Sequence, residues 1–258
     1  MPDFFNGDVR IAYALEGPAD APTLVLSNSL GTTMDMWAPQ VPVLTQSFRV
    51  LRYDMRGHGA SDVPPGPYAI ATLGRDVVAL LRHVECARAH FCGLSMSGLV
   101  GLWLAQNEPA FLEHLVLANT AARIGPAEIW TARIARVEAE GMSTVADAVV
   151  QRWFTPGFIA AESPAFIAAR QMLRDSPAAG YMAACAAVRD TDLRADLGRI
   201  AKPTLVIAGT HDPATTPAAG RYMAERIPDA RYVEIDASHL SNLERPAEFT
   251  RALVDFLT

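Results

Sequence analysis

The residues best suited to chemistry in this chain are a serine, an aspartate and a histidine far apart in sequence. Phe91-Cys92-Gly93-Leu94-Ser95-Met96-Ser97-Gly98 follows an apolar run and opens a helical pattern reaching about Asn107. A serine at a sharp strand-to-helix turn is pushed outward, and small residues must flank it because the backbones crowd there. The helix start adds free N–H groups and a positive dipole end, both suited to developing negative charge. A hydroxyl is a weak nucleophile. It needs an imidazole base, which in turn needs a carboxylate to hold its tautomer.

Both partners are present in the order serine, acid, histidine. The run Thr204–Gly209 ends in Thr210-His211-Asp212-Pro213, and Tyr232–Ile235 ends in Asp236-Ala237-Ser238-His239. Asp212 and His239 therefore fall at the carboxyl ends of strands, where open α/β sheets place their sites. Ser97, His211 and Asp236 are rivals of the same chemistry. Ser95 is favoured over Ser97 because Gly93 stands two residues before it, although Ser97 takes the place of a second small glycine and Gly98 comes one step late. An oxyanion needs two N–H donors: Met96, after the nucleophile, and Leu30 in the early loop Leu26-Ser27-Asn28-Ser29-Leu30-Gly31.

The elements that must position these residues are legible as runs. Phe4-Phe5 and Val9–Tyr13 flank Asn6-Gly7, a pair suited to a hairpin turn. Thr23–Leu26, Val50–Tyr53, His90–Cys92, Leu115–Leu117, Thr204–Ile207 and Tyr232–Ile235 are apolar without alternation, which suits strands covered on both faces. Leu73, Val77, Leu80, Leu81 and Val84 form one helical stripe, and Phe249, Leu253, Phe256 and Leu257 another that opens at Pro246. Strands alternating with helices imply an α/β fold with a mostly parallel sheet. From 121 to 190 no strand is expected, only Ala-rich helix broken at Gly125-Pro126, Gly141, Thr155-Pro156-Gly157, Ser163-Pro164 and Ser176-Pro177. The expected organisation is a core of 1–120 and 191–258 carrying a helical cap over 121–190.

Composition narrows the classes further. The 258 residues are 50% hydrophobic and 19% charged, with 22 basic against 28 acidic side chains and a net charge of −6. Disorder is excluded, and neither nucleic acid nor an anionic membrane is an expected partner. The acidic start Met1–Asp8 lacks the basic residues of a signal peptide, and Phe91–Ala105 is too short and too Gly/Ser-broken to span a bilayer. Cys86, Cys92 and Cys185 are odd in number and form no C-x-x-C pair, so reduced thiols in a cytoplasmic protein are expected. The six histidines show no metal-binding spacing, and no metal is expected. Arg56-Gly57-His58-Gly59 lacks the third glycine of a dinucleotide loop, and Leu99-Val100 stand where a P-loop needs Lys-Ser/Thr.

Along its whole length the chain resembles the α/β-hydrolase superfamily, including Arg52–Asp62 after a strand. More narrowly it resembles the 3-oxoadipate enol-lactonases. The matching segments are Leu26–Thr32, Phe91–Gly98, Ala118–Gly125, Arg152-Trp153-Phe154-Thr155 and Ala237–Arg245. The resemblance implies an α/β-hydrolase fold with helices on both faces of the sheet and a cofactor-free serine hydrolase. Its implied reaction opens 3-oxoadipate enol-lactone to 3-oxoadipate in aromatic catabolism through an acyl-enzyme on Ser95. That small-molecule lactone carries an acetate arm, so the net-acidic chain must supply a local cation. Arg123, Arg133 and Arg152 are candidates, with Trp130 and Trp153 as apolar walls; a solvated arginine or a core tryptophan is the plain alternative for each. Two other readings keep the same residues: a general carboxylesterase or other hydrolase of small carbonyl compounds, and a small-molecule receptor without turnover.

Overall fold

The computed structural model describes residues 3–258; Met1 and Pro2, where the reading against a signal peptide begins, lie outside the described residues. Strands β1 (Asp3–Asn6) and β2 (Val9–Glu16) form the expected hairpin, with Asn6 opposite Val9 and Gly7 supplying a φ of +62°. β3 (Thr23–Ser27), β4 (Arg49–Tyr53), β5 (Ala89–Leu94), β6 (Leu112–Ala118), β7 (Thr204–Gly209) and β8 (Arg231–Ile235) follow. They join in one sheet of order β1-β2-β4-β3-β5-β6-β7-β8, parallel from β4 to β8 and antiparallel at β1 and β2. Every residue of β3, β5 and β7 is buried, so both faces of the sheet centre are covered.

The cover is helical. α1 (Val41–Leu44) and α2 (Ile70–His83) precede α3 (Met96–Asn107), which begins at the elbow serine. The stripe Leu73, Val77, Leu80 and Leu81 of α2 is buried, and α2 packs on α3. Between β6 and β7 come α4 (Ala127–Val150), α5 (Pro156–Ala160), α6 (Pro164–Asp175) and α7 (Ala178–Arg189), with no strand among the described residues. The breaks have local causes. Gly141 interrupts α4 at φ +76°, Pro156 and Pro164 open the next two helices, and the Ser163 hydroxyl accepts the Phe166 N–H. α6 and α7 both pack along α4.

α8 (Pro217–Ala224), α9 (Ser241–Glu244) and α10 (Pro246–Leu257) complete the chain. α10 buries Phe249, Leu253 and Leu257, but Phe256, expected on the same face, is half-buried and stands edge-on to His114 at 5.4 Å. No helix among the described residues is long and apolar enough to cross a membrane.

Register places the site. Ser27 pairs with Gly93, Leu94 with Ala118, Ala118 with Ile207, and Gly209 with Ile235. The parallel strands thus end level, and the residues just beyond them (Asn28–Gly31, Ser95, Asn119, Asp212 and Asp236–His239) emerge along one edge. Residues far apart in sequence become neighbours there.

Candidate active site

Ser95 occupies the turn between β5 and α3 with φ +59° and ψ −118°. A non-glycine residue in such a conformation costs about 1–3 kcal/mol and persists only where its surroundings hold it. Here the Ser95 N–H donates to Ala118 O (2.9 Å), while its carbonyl accepts from Gly98 N–H (2.9 Å) and the Thr120 hydroxyl (2.7 Å). A Cβ at Gly93 would lie 2.1 Å from Ser97 O, and one at Gly98 2.3 Å from Thr120 Cγ2. The second position that must be bare is therefore 98, which leaves room for a side chain at 97. The Ser97 hydroxyl uses that room by donating to Asn28 O at 2.5 Å and accepting from Ser27 Oγ at 2.8 Å, fully buried. It faces the early loop rather than His239.

His239 bridges the other two candidates. Its Nε2 lies 2.9 Å from Ser95 Oγ and its Nδ1 2.7 Å from Asp212 Oδ2, with all three residues under 10% exposed. Asp212 accepts at Nδ1, so the imidazole proton sits there and Nε2 is free to take the Ser95 proton. Asp212 also accepts the N–H groups of Ala214 (2.8 Å) and Thr215 (3.0 Å) and the Thr215 hydroxyl (2.6 Å). Burial alone would raise its pKa, but His239 and the Thr215 donors outweigh burial and hold the carboxyl below the usual range. The rivals pair elsewhere. His211 Nε2 meets Asp236 Oδ1 at 2.8 Å with both side chains more than half exposed.

Of the early-loop amides, Ser29 N–H is taken by Met36 Sδ (3.4 Å) and Gly31 N–H by His58 Nε2 (3.0 Å). Leu30 N–H between them, like Met96 N–H, meets no acceptor among the described residues. Two free donors beside a buried hydroxyl can receive an oxyanion.

Ser95, His239 and Leu30 line a cavity of about 250 Å³ roofed by Ile124–Pro126, Ile129, Trp130 and Arg133, with Val149, Arg152, Trp153 and Tyr181. Trp130 and Trp153 are buried, and the half-buried Arg133 guanidinium lies 4.7 Å from the Trp130 ring centre. Arg152 reaches the cavity from an exposed position. Arg123 does not line it and sits exposed at the surface, 3.8 Å from Asp192.

The family described as alpha/beta hydrolase fold matches residues 22–246. This chain belongs to the α/β-hydrolases. The hydrolase is 45% identical over 247 residues to 3-oxoadipate enol-lactonase 2 of Acinetobacter baylyi, covering 95% of this chain and 92% of that one. The crystal structure of the enol-lactonase from Burkholderia xenovorans LB400 matches it with a TM-score of 0.98 at 48% identity over 99% of each chain. A putative carbamate hydrolase, RutD, of Pseudomonas syringae is 33% identical over 93% of this chain and 95% of that one. The fold and the kinship expected from the sequence are both borne out.

Four residues of this hydrolase's site were given no role in the sequence reading, although Asn119 and Glu244 lie within segments that carried the resemblance. Asn119, at φ +44° after β6, donates its side-chain amide to Asp212 Oδ2 (3.2 Å) and Ser238 O (3.1 Å) and accepts from the Ser241 hydroxyl (2.5 Å). Thr215 supports Asp212 as described. Glu244 accepts the Ser238 N–H at 2.8 Å, next to His239. Tyr181 lines the cavity. An asparagine just beyond a central strand was the one signal that could have been read, since Asn tolerates positive φ.

Proposed function

We propose that this hydrolase opens 3-oxoadipate enol-lactone to 3-oxoadipate through an acyl-enzyme, with residues 121–190 as a cap over the core formed by 1–120 and 191–258. The observation that carries the reading is His239 joining Ser95 to Asp212 in a cavity that also holds the half-buried Arg133. Kinship with enol-lactonases supports the choice of substrate.

In this mechanism His239 Nε2 takes the Ser95 proton as Oγ attacks the lactone carbonyl, and Leu30 and Met96 N–H groups receive the oxyanion. Loss of one such donor costs on the order of 10²–10³ in kcat. Asp212, kept ionised, balances the imidazolium. Collapse breaks the ring C–O bond, and the His239 proton passes to the leaving enolate oxygen. The enol stays tethered to the acyl group, so its conversion to the ketone opposes re-closure. Water deprotonated by His239 then releases the acid and restores Ser95. Trp130 and Trp153 wall the ring, and Arg133 draws in the acetate arm. The buried free thiols of Cys86, Cys92 and Cys185 support a cytoplasmic setting, consistent with breakdown of protocatechuate and catechol products.

Product analysis after mixing the purified protein with the enol-lactone tests the reading. The expected result is steady release of 3-oxoadipate with kcat/KM far above that for a simple aryl ester. Equal values would reduce the enzyme to a general esterase, and a single stoichiometric burst would favour a receptor. The RutD relative supports a second reading, hydrolysis of a small carbamate at the same serine. Carbamate turnover without lactone opening would install it instead.

A further inference from the structure

The end of β6 touches the segments of Ser95, Asp212 and His239 alike. Ala118 O accepts the Ser95 N–H (2.9 Å) and the Thr120 hydroxyl donates to Ser95 O (2.7 Å). Asn119, between them, turns its side chain to the loops beyond β7 and β8 instead. Its backbone is tied by its N–H to Ile207 O at 2.8 Å, with a φ of +44° that asparagine tolerates better than most residues.

The Asn119 side chain is fully buried. Its amide nitrogen lies 3.2 Å from Asp212 Oδ2 and 3.1 Å from the carbonyl oxygen of Ser238, the residue before His239. An ionised carboxylate and a carbonyl can only accept, so the NH₂ must face them, and the Asn119 oxygen is left to take the Ser241 hydroxyl at 2.5 Å. One N–H is thus given to the acid's loop and the other to the histidine's. Apart from His239, the remaining donors to Asp212 are Ala214 and Thr215 of its own loop. Ser238 O accepts from no other group among the described residues, and Gly209 leaves room for it, since a Cβ there would collide with that oxygen.

We propose that Asn119 is a positioning residue for the reaction: its single amide group spaces Asp212 from the His239 loop and so sets the Nδ1–carboxylate bond that aims Nε2 at Ser95. It touches no reacting atom. Its effect falls on proton transfer, and therefore on turnover rather than on substrate binding, and it is the same for any ester that the serine attacks. The inference rests on Ser95, His239 and Asp212 being the working residues, not on which ester they cleave.

Two variants test this, with thermal melts to verify folding. Asn119→Asp keeps the shape and the tolerance of positive φ but loses the amide donor; Asn119→Gly keeps the backbone conformation and loses the side chain. Assays at about pH 8 keep the introduced carboxyl ionised beside Asp212. Each variant is expected to lower kcat about tenfold or more, as loss of a hydrogen bond to a charged group does, with KM little changed. The factor should be the same for the enol-lactone and for a simple aryl ester. The low-field proton NMR signal of the His239 Nδ1 proton should also move or broaden in both variants, which a loss of stability alone would not cause. Undiminished kcat in either folded variant, or a fall in kcat with that signal unmoved, overturns the proposal. Aryl-ester turnover without lactone opening, falling as expected in both variants, would remove the lactonase reading and leave Asn119 in its role. Lactone opening at undiminished kcat in Asn119→Asp would do the reverse.

Discussion

Glu244 holds Thr155. The carboxylate, 89 residues away in sequence, accepts the Thr155 N–H at 3.2 and 3.3 Å and the Thr155 hydroxyl as well. Its Oε2 also accepts the Ser238 N–H at 2.8 Å, and the next segment is tied by Leu240 N–H to Trp153 O at 2.9 Å. The loop that carries His239 and the turn that carries Trp153 are thus fastened to each other on both sides of the imidazole. Glu244→Ala leaves the buried Ser238 N–H and the half-buried Thr155 N–H without an acceptor, which costs about 1–3 kcal/mol for the buried one. A fall in denaturant midpoint together with a lower kcat is expected, and Glu244→Gln, which keeps one carbonyl acceptor, should recover part of both. Loss of stability at undiminished kcat would show that the clamp does not position His239.

Ser95→Ala should abolish hydrolysis, whereas Ser97→Gly should retain most of it. The Ser97 hydroxyl is spent on Asn28 O and Ser27 Oγ, so its removal costs stability, about 1–2 kcal/mol, rather than the nucleophile. Initial rates and urea melts of both variants check this. Activity surviving in Ser95→Ala but lost in Ser97→Gly would move the nucleophile.

Asp212→Asn keeps shape but replaces the acceptor facing His239 Nδ1 by an amide that can donate. The imidazole then loses the tautomer that leaves Nε2 free, and kcat should fall by about four orders of magnitude with the fold intact. Near-normal kcat in this variant would show that Asp212 does not orient the base.

Acid should destabilise the protein in a defined window. Burial depresses the His58 pKa from 6.5 to about 4, while Nε2 accepts the Gly31 N–H. Between those values the unfolded chain binds a proton that the folded one refuses, so stability rises with pH across the window and is fully present above 6.5. Below about 4 this contribution levels off. The slope approaches about 1.4 kcal/mol per pH unit for one such group. His90, depressed to about 4 by burial and by neighbouring His114, adds in the same direction. Urea unfolding from pH 7.5 to 4.5 should show a slope shallower by up to about one proton in His58→Gln, which keeps an acceptor for Gly31. An unaltered slope would mean that His58 titrates equally in both states.

Arg133→Ala should raise KM for the acetate-bearing lactone more than for a neutral aryl ester of similar size, by about tenfold, as befits a lost charge-assisted contact. Equal changes for the two substrates would confine Arg133 to packing on Trp130.

By itself the sequence determined what near neighbours decide. Unbroken apolar runs marked the buried strands, prolines and Gly141 marked the helix breaks, and the glycines around Ser95 marked the elbow, because backbone sterics and burial act over a few residues. The order of serine, acid and histidine followed from strand ends that can be read one strand at a time. Tertiary structure decided which of several equal side chains met. Only the level ends of β5, β7 and β8 bring His239 to Ser95 across 144 positions, and the same register leaves His211 with Asp236 in solvent. Ser97 was turned toward Asn28 and Arg123 toward Asp192 by packing of segments that share no local pattern. A hydrogen bond is chosen by distance and direction between groups, and neither exists until the whole chain has folded.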